Sequence, residues 1–124
     1  MGGLWPLEES RYMEMIEDTL ISYLNDNNIH SYSEEQEELE SEYVIVVKQD
    51  NYPVNFLNYA SMRFEVYSDS LYNSASLTEK VKALILDLLS RNDFTSVTIE
   101  NSYPEINEQT KQYRHIIESN MYFY

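Results

Sequence analysis

The chain has no cysteine, only two glycines and only eight lysines and arginines in 124 residues. The missing cysteine removes disulfides, thiolate metal sites and cysteine nucleophiles together. It also suits a reducing compartment. Both glycines, Gly2 and Gly3, stand at the start. Phosphate-cradling loops need glycine for tight turns and close backbone approach, so Rossmann and P-loop readings are excluded. Eight cations against 22 acids give a net charge of −14. Binding a nucleic-acid backbone needs clustered Lys and Arg, so a free nucleic-acid binder is not expected. Long apolar runs are missing too. Stretches such as Val44 to Val47 fall far short of the roughly 20 residues of a membrane span. The start, "MGGLWPLEES", has no basic region before an apolar core, so no secretory signal is expected. Gly2 is not expected to be myristoylated, because Pro6 stands where Ser or Thr is wanted.

What is present suits one folded domain over residues 1–124. The hydrophobic fraction is 43% and the aromatic fraction 14%, unlike a disordered chain. Residues 8–26 place Tyr12, Met15, Ile16, Leu20, Tyr23 and Leu24 at three- and four-residue steps, which predicts a helix with one apolar stripe. "NDNN", 25–28, ends it, asparagine tolerating the left-handed conformation glycine would otherwise supply. "IHSY", 29–32, reads as a short strand. The acidic run "EEQEELESE", 34–42, reads as a solvated loop spanning about 33–42 and held open by like charge. "YVIVVKQ", 43–49, is β-branched and predicts a central strand covered on both faces. "DNYP", 50–53, reads as a turn. Next comes a clean alternation: Ala60, Met62, Phe64 and Val66 face one way, and Ser61, Arg63, Glu65 and Tyr67 the other.

A polar stretch then precedes a helix expected to start at Ser76, with Glu79 completing a capping box. Leu77, Val81, Leu84, Ile85, Leu88 and Leu89 make its expected buried stripe, and Lys80, Lys82 and Asp87 its outer face. "FTSVTIE", 94–100, is a strand with Val97 and Ile99 on one face. A long polar connection, "NSYPEINEQTKQ", leads to a last extended segment, 113–124. The expected fold class is α+β: a mainly antiparallel sheet of four to five strands with two α-helices packed on one face.

Chemistry-bearing patterns are sparse. His30 and His115 have no metal-ligand spacing, so no metal site is expected. No serine sits in a nucleophile elbow. Asp69 and Asn73 could touch a cation, but they read as turn and capping residues. Neither catalytic residues nor a cofactor is expected. Twelve tyrosines and the terminal "NMYFY" carry more information, since tyrosine joins apolar area to a polar tip and is enriched at interfaces. The last strand either lies in the core or presents an aromatic edge to another subunit.

The succession of an amphipathic helix, a β-branched strand, "MRFEVYSDS", a polar loop, a helix carrying "VKALILDLL", the strand "SVTIE" and a final "YRHIIESNMYFY" resembles the tail-terminator (tail-completion) proteins of long-tailed bacteriophages. That resemblance covers about residues 10–124 and rests on element order, not on a signature motif. It implies a structural virion protein, made in the host cytoplasm. It would form a homo-oligomeric ring, a hexamer, that caps the tail tube at the head–tail junction. Its partners would be the tail tube protein and the head-connector or stopper protein, and DNA would pass through without specific binding. Tyr67, Asp69 and Tyr72 around the polar loop are the expected interface residues, with Met121, Tyr122, Phe123 and Tyr124 at the chain's end. Two other classes stay open. One is an acidic DNA mimic that inhibits a nucleic-acid-binding enzyme, or another head–tail connector component. The other is a small enzyme or ligand-binding domain.

Overall fold

A computed structural model describes residues 5–34, 41–107 and 112–124, with side chains from Ile16 onward except near the last turn. Among these residues lie two helices, α1 (Trp5–Asp26) and α2 (Leu71–Asp87). The strands are β1 (Ser31–Tyr32), β2 (Tyr43–Val54), β3 (Leu57–Ser68), β4 (Phe94–Asn107) and β5 (Gln112–Phe123). They form one sheet in the order β1-β2-β3-β5-β4, antiparallel except where β1 joins β2. The fold is α+β, with both helices on one sheet face.

The stripe of α1 is buried as its spacing predicts. Ile16, Leu20 and Leu24 are each under 4% exposed. Tyr12 and Met15, also members of the expected stripe, lie outside the described side chains. Asn28 takes a φ of 65°, and the N–H of Ile29 bonds to the carbonyl of Leu24 at 2.9 Å. The N–H of Asn28 bonds to the carbonyl of Asn25 at 3.0 Å, completing a Schellman end with Ile29 and Leu24 in the core. The Asn25 amide then pairs with both backbone groups of Ser31, which finishes the short edge strand β1.

Beneath the helices, β3 contributes Ala60, Met62, Phe64 and Val66, all fully buried. Val44 and Val46 of β2 and Ile117 and Met121 of β5 flank them, and Leu77, Val81, Ile85 and Leu88 close the layer from above. Tyr23 of α1 ties the helices together, its hydroxyl donating to the Leu84 carbonyl at 2.7 Å. Burial and the nearby Asp87 carboxylate push the Tyr23 phenol pKa up.

Several expectations need correction. β2 is buried on both faces over Tyr43–Val46, but β3 is the central strand; β1 covers the outer side of β2 only opposite Val44 and Ile45. "DNYP" is strand, not turn: Pro53 stands opposite Asn58, and the reversal comes at Asn55 and Phe56, with φ values of 46° and 69°. Two consecutive left-handed residues suit the twist of a tight hairpin. Pro53 is tolerated because, among the described residues, no strand lies outside β2 at that point.

The long polar loop before α2 does not exist either. Ser70 caps the helix, its hydroxyl accepting from the Asn73 N–H at 3.1 Å, and only Asp69 and Ser70 separate β3 from α2. Ser76 and Glu79 are both exposed inside the helix. The first turns were hidden because their buried positions are Ser74 and Thr78; the Thr78 hydroxyl is satisfied by the Ser74 carbonyl at 2.7 Å. Leu89, expected inside, is 47% exposed, because a 3-10 turn over Leu88–Ser90 rotates it outward. Most of the expected polar connection after residue 100 is strand. β4 runs to Asn107, with irregularities between Phe94 and Ser96 and between Ile99 and Asn101. The last segment is not an edge: β5 pairs with β3 on one side and β4 on the other. Of the acidic run 34–42, residues 35–40 lie outside the described residues.

Candidate functional site: the open face of the sheet

Strand alternation places every second residue of β2 to β5 on the face away from the helices. At the end where β3 hands over to α2, this face is charged and its groups pair with one another, although Arg63 Nε makes only an ion-pair contact and no well-aligned hydrogen bond. Tyr43 and Tyr67 stack, with ring centroids 4.7 Å apart and planes 12° from parallel. The Tyr67 hydroxyl donates to Glu65 Oε1 at 3.1 Å and accepts from Arg114 Nη1 at 3.1 Å. Arg114 also bonds Glu105, and its guanidinium carbon lies 5.8 Å from the Tyr67 ring centroid. Burial works against the Arg114 charge, but the hydrogen bonds to Tyr67 and Glu105 outweigh it and raise its pKa above the usual value. Burial likewise raises the Tyr67 phenol pKa, partly opposed by the bond from Arg114. Arg63 adds a second cation, 3.1 Å from Glu65 Oε2.

Toward the hairpin tip the same face turns aromatic. Tyr52, Tyr59 and Tyr122 stand side by side on β2, β3 and β5, with centroids 4.7 and 5.1 Å apart. The Tyr59 hydroxyl donates to Asn120 Oδ1 at 3.0 Å. Burial and the neighbouring Tyr52 raise its phenol pKa.

The expected interface residues fall into two groups. Tyr67 is buried in the charged network. Asp69 is exposed in the tight connection and accepts from the Asn73 amide at 3.1 Å. Tyr72 projects from the first turn of α2 and is 81% exposed. At the other end, Met121 is fully buried on the helix side, opposite Ala60 and Val97. Tyr122 joins the tyrosine row on the open face. Phe123 packs on Phe94 with centroids 5.6 Å apart, and Tyr124 is exposed with its N–H held by the Asp93 carbonyl. Tyr67 pairs with Arg114 and Tyr59 with Tyr122, so the groups are eight residues apart along β5, roughly 27 Å.

Sequence reasoning missed Phe56, which is fully exposed at the hairpin tip, and the Arg63, Glu65, Glu105 and Arg114 network. The alternation in β3 and β5 puts these side chains on one face, but only the register shows which of them meet. His115 instead faces the helix side, with Ser102 Oγ 2.9 Å from its Nε2. Burial, and the Lys82 charge after it, hold its pKa below the usual histidine value, with Glu79 partly opposing. Among the described residues no three of His, Asp and Glu gather to hold a cation, and no helix is long and apolar enough to cross a membrane. No protein-family model matches the chain, and no curated protein matches it.

Proposed function

We propose that this chain is a structural subunit of a long-tailed bacteriophage, a tail terminator that assembles as a ring, a hexamer, on the end of the tail tube. One side of the ring would meet the tail tube protein and the other the head connector or stopper. The observation that carries this reading is Phe56. It is fully exposed at a hairpin tip and held at a φ of 69°. A left-handed phenylalanine costs roughly 1–2 kcal/mol, and this one gains no burial within the chain in return. Such a residue makes sense when a partner covers it. Tyr72 and Leu71 are exposed at the opposite end of the sheet, near the level of Ser68 and Tyr113. A subunit with apolar groups at both ends suits a place between two stacked partners. The net charge of −14 suits a ring through which DNA passes without being held.

The test is co-sedimentation with cognate tail tubes. The full-length protein is expected to pellet with tubes. Phe56→Ser and Tyr72→Ser should keep their melting curves, and at least one should lose most of its tube binding, which identifies the tube-facing end. A full-length protein that stays in the supernatant at every tube concentration would overturn the reading.

A further inference from the structure

The open face repeats one chemistry twice, and only one copy is complete. In the charged half, a guanidinium sits over a tyrosine ring between carboxylates: Arg114 over Tyr67, with Glu65 and Glu105 on either side. In the aromatic half, Tyr52, Tyr59 and Tyr122 form the row and carboxylates stand near it, but among the described residues no arginine lies over these rings. Asp50 lies opposite Ser61 on the β2 side, close enough to Tyr59 to raise its phenol pKa. Glu100 lies on the β4 side, accepting from the Thr98 hydroxyl at 2.7 Å. Glu118 lies further along β5, opposite Arg63, and accepts from the Tyr103 hydroxyl at 3.3 Å, so it belongs to the charged half. Asp50 accepts from the Asn51 N–H at 2.9 Å and Glu100 from the Thr98 hydroxyl, both neutral donors, whereas Glu65 and Glu105 hold the arginines. The described face thus carries five carboxylates (Asp50, Glu65, Glu100, Glu105, Glu118) against Arg63 and Arg114.

We propose that the aromatic half of this face binds an arginine-bearing basic segment of a partner protein. A guanidinium can lie on a tyrosine face and donate to a carboxylate at once, as Arg114 does. A compact ammonium has no planar surface to stack, so arginine is preferred over lysine. Charge selects among occupants. The same face of a second copy would be like-charged and so would not pair with this one, and a nucleic acid would be repelled for the same reason. A basic polypeptide is attracted by the whole molecule and then fixed by the row.

The probe is a labelled nona-arginine peptide, with nona-lysine as its comparison, titrated against the full chain at low and at moderate salt. Nona-arginine is expected to bind about tenfold tighter than nona-lysine, and more weakly as salt rises. Tyr52→Ser, at an exposed position, should weaken nona-arginine about fivefold and leave nona-lysine nearly unchanged. On the unmutated protein, the ring resonances of Tyr52, Tyr59 and Tyr122 should shift on titration while those of Tyr43 do not. Equal affinities for the two peptides would overturn the proposal. So would no binding, or binding lost when Glu34, Glu35, Glu37, Glu38, Glu40 and Glu42 become Gln but indifferent to Tyr52. No tail component enters the assay, so its outcome is separate from that of the tail-tube experiment.

Discussion

His115 shows how the face a strand residue takes sets its chemistry. It stands opposite Val66 and Pro104, on the side of the sheet that carries the helices, where Lys82 and Glu79 of α2 reach it. Its folded pKa is depressed, chiefly by burial. The unfolded chain therefore takes up a proton at higher pH than the native chain does. Stability from this group is present above about pH 6.5 and is lost as pH falls through the lower native pKa. Denaturant midpoints followed from neutral to mildly acidic pH should fall more steeply for the native sequence than for His115→Gln. Parallel curves would mean that His115 is exposed and unperturbed. Phe56 makes the converse case. Its left-handed backbone suits glycine, so Phe56→Gly should stabilise the fold by roughly 1 kcal/mol, read as a higher urea midpoint. A loss of stability would mean that the ring packs within the chain. Asn28 was legible, because asparagine after an apolar stripe is a stop signal. Phe56 was not, because nothing in a phenylalanine announces a turn.

At the scale of elements, the strong periods held and the weak punctuation did not. The stripe of α1, the alternation of β3 and the core of α2 rest on large apolar residues at regular steps. Errors gathered where small polar residues are buried or turn-forming residues lie in a strand. Ser74 and Thr78 hid the first turns of α2, and Asp50, Asn51 and Pro53 imitated a turn inside β2. Register could not be read at all, and it decides which tyrosines form a row and which arginine meets which carboxylate. Within α2 and the turn after it, Ile85→Ala or Leu88→Ala should cost roughly 2–5 kcal/mol, against little for Leu86→Ala or Leu89→Ala on the exposed side. Chemical denaturation checks this, and equal midpoints for all four would put the helix in the wrong phase. The interior place of β5 changes what truncation does. Removing residues 121–124 takes out fully buried Met121 and the Phe123 contact with Phe94, so a markedly lower melting temperature is expected, not a folded domain that has lost only its partner.

At the scale of the molecule, the helices occupy one face of the sheet and leave the other to a tyrosine row and a charged network. Each of the two sheet ends carries an exposed aromatic side chain, Phe56 at one and Tyr72 at the other. The edges are poor templates for pairing. β4 has two irregularities and Pro104, and β2 has one irregularity and Pro53. Such edges resist strand-to-strand association, so subunits would meet through side chains and hairpin tips. Head-to-tail contacts of that kind close into a ring when the rotation permits, and a tube end can supply the template. The most direct measurement is negative-stain electron microscopy of cognate tail tubes incubated with the purified full-length protein. The expected result is a ring of density closing one end of each tube, absent without the protein and lost with the Phe56→Ser, Tyr72→Ser double variant. Open tube ends in the presence of excess folded protein would contradict the account.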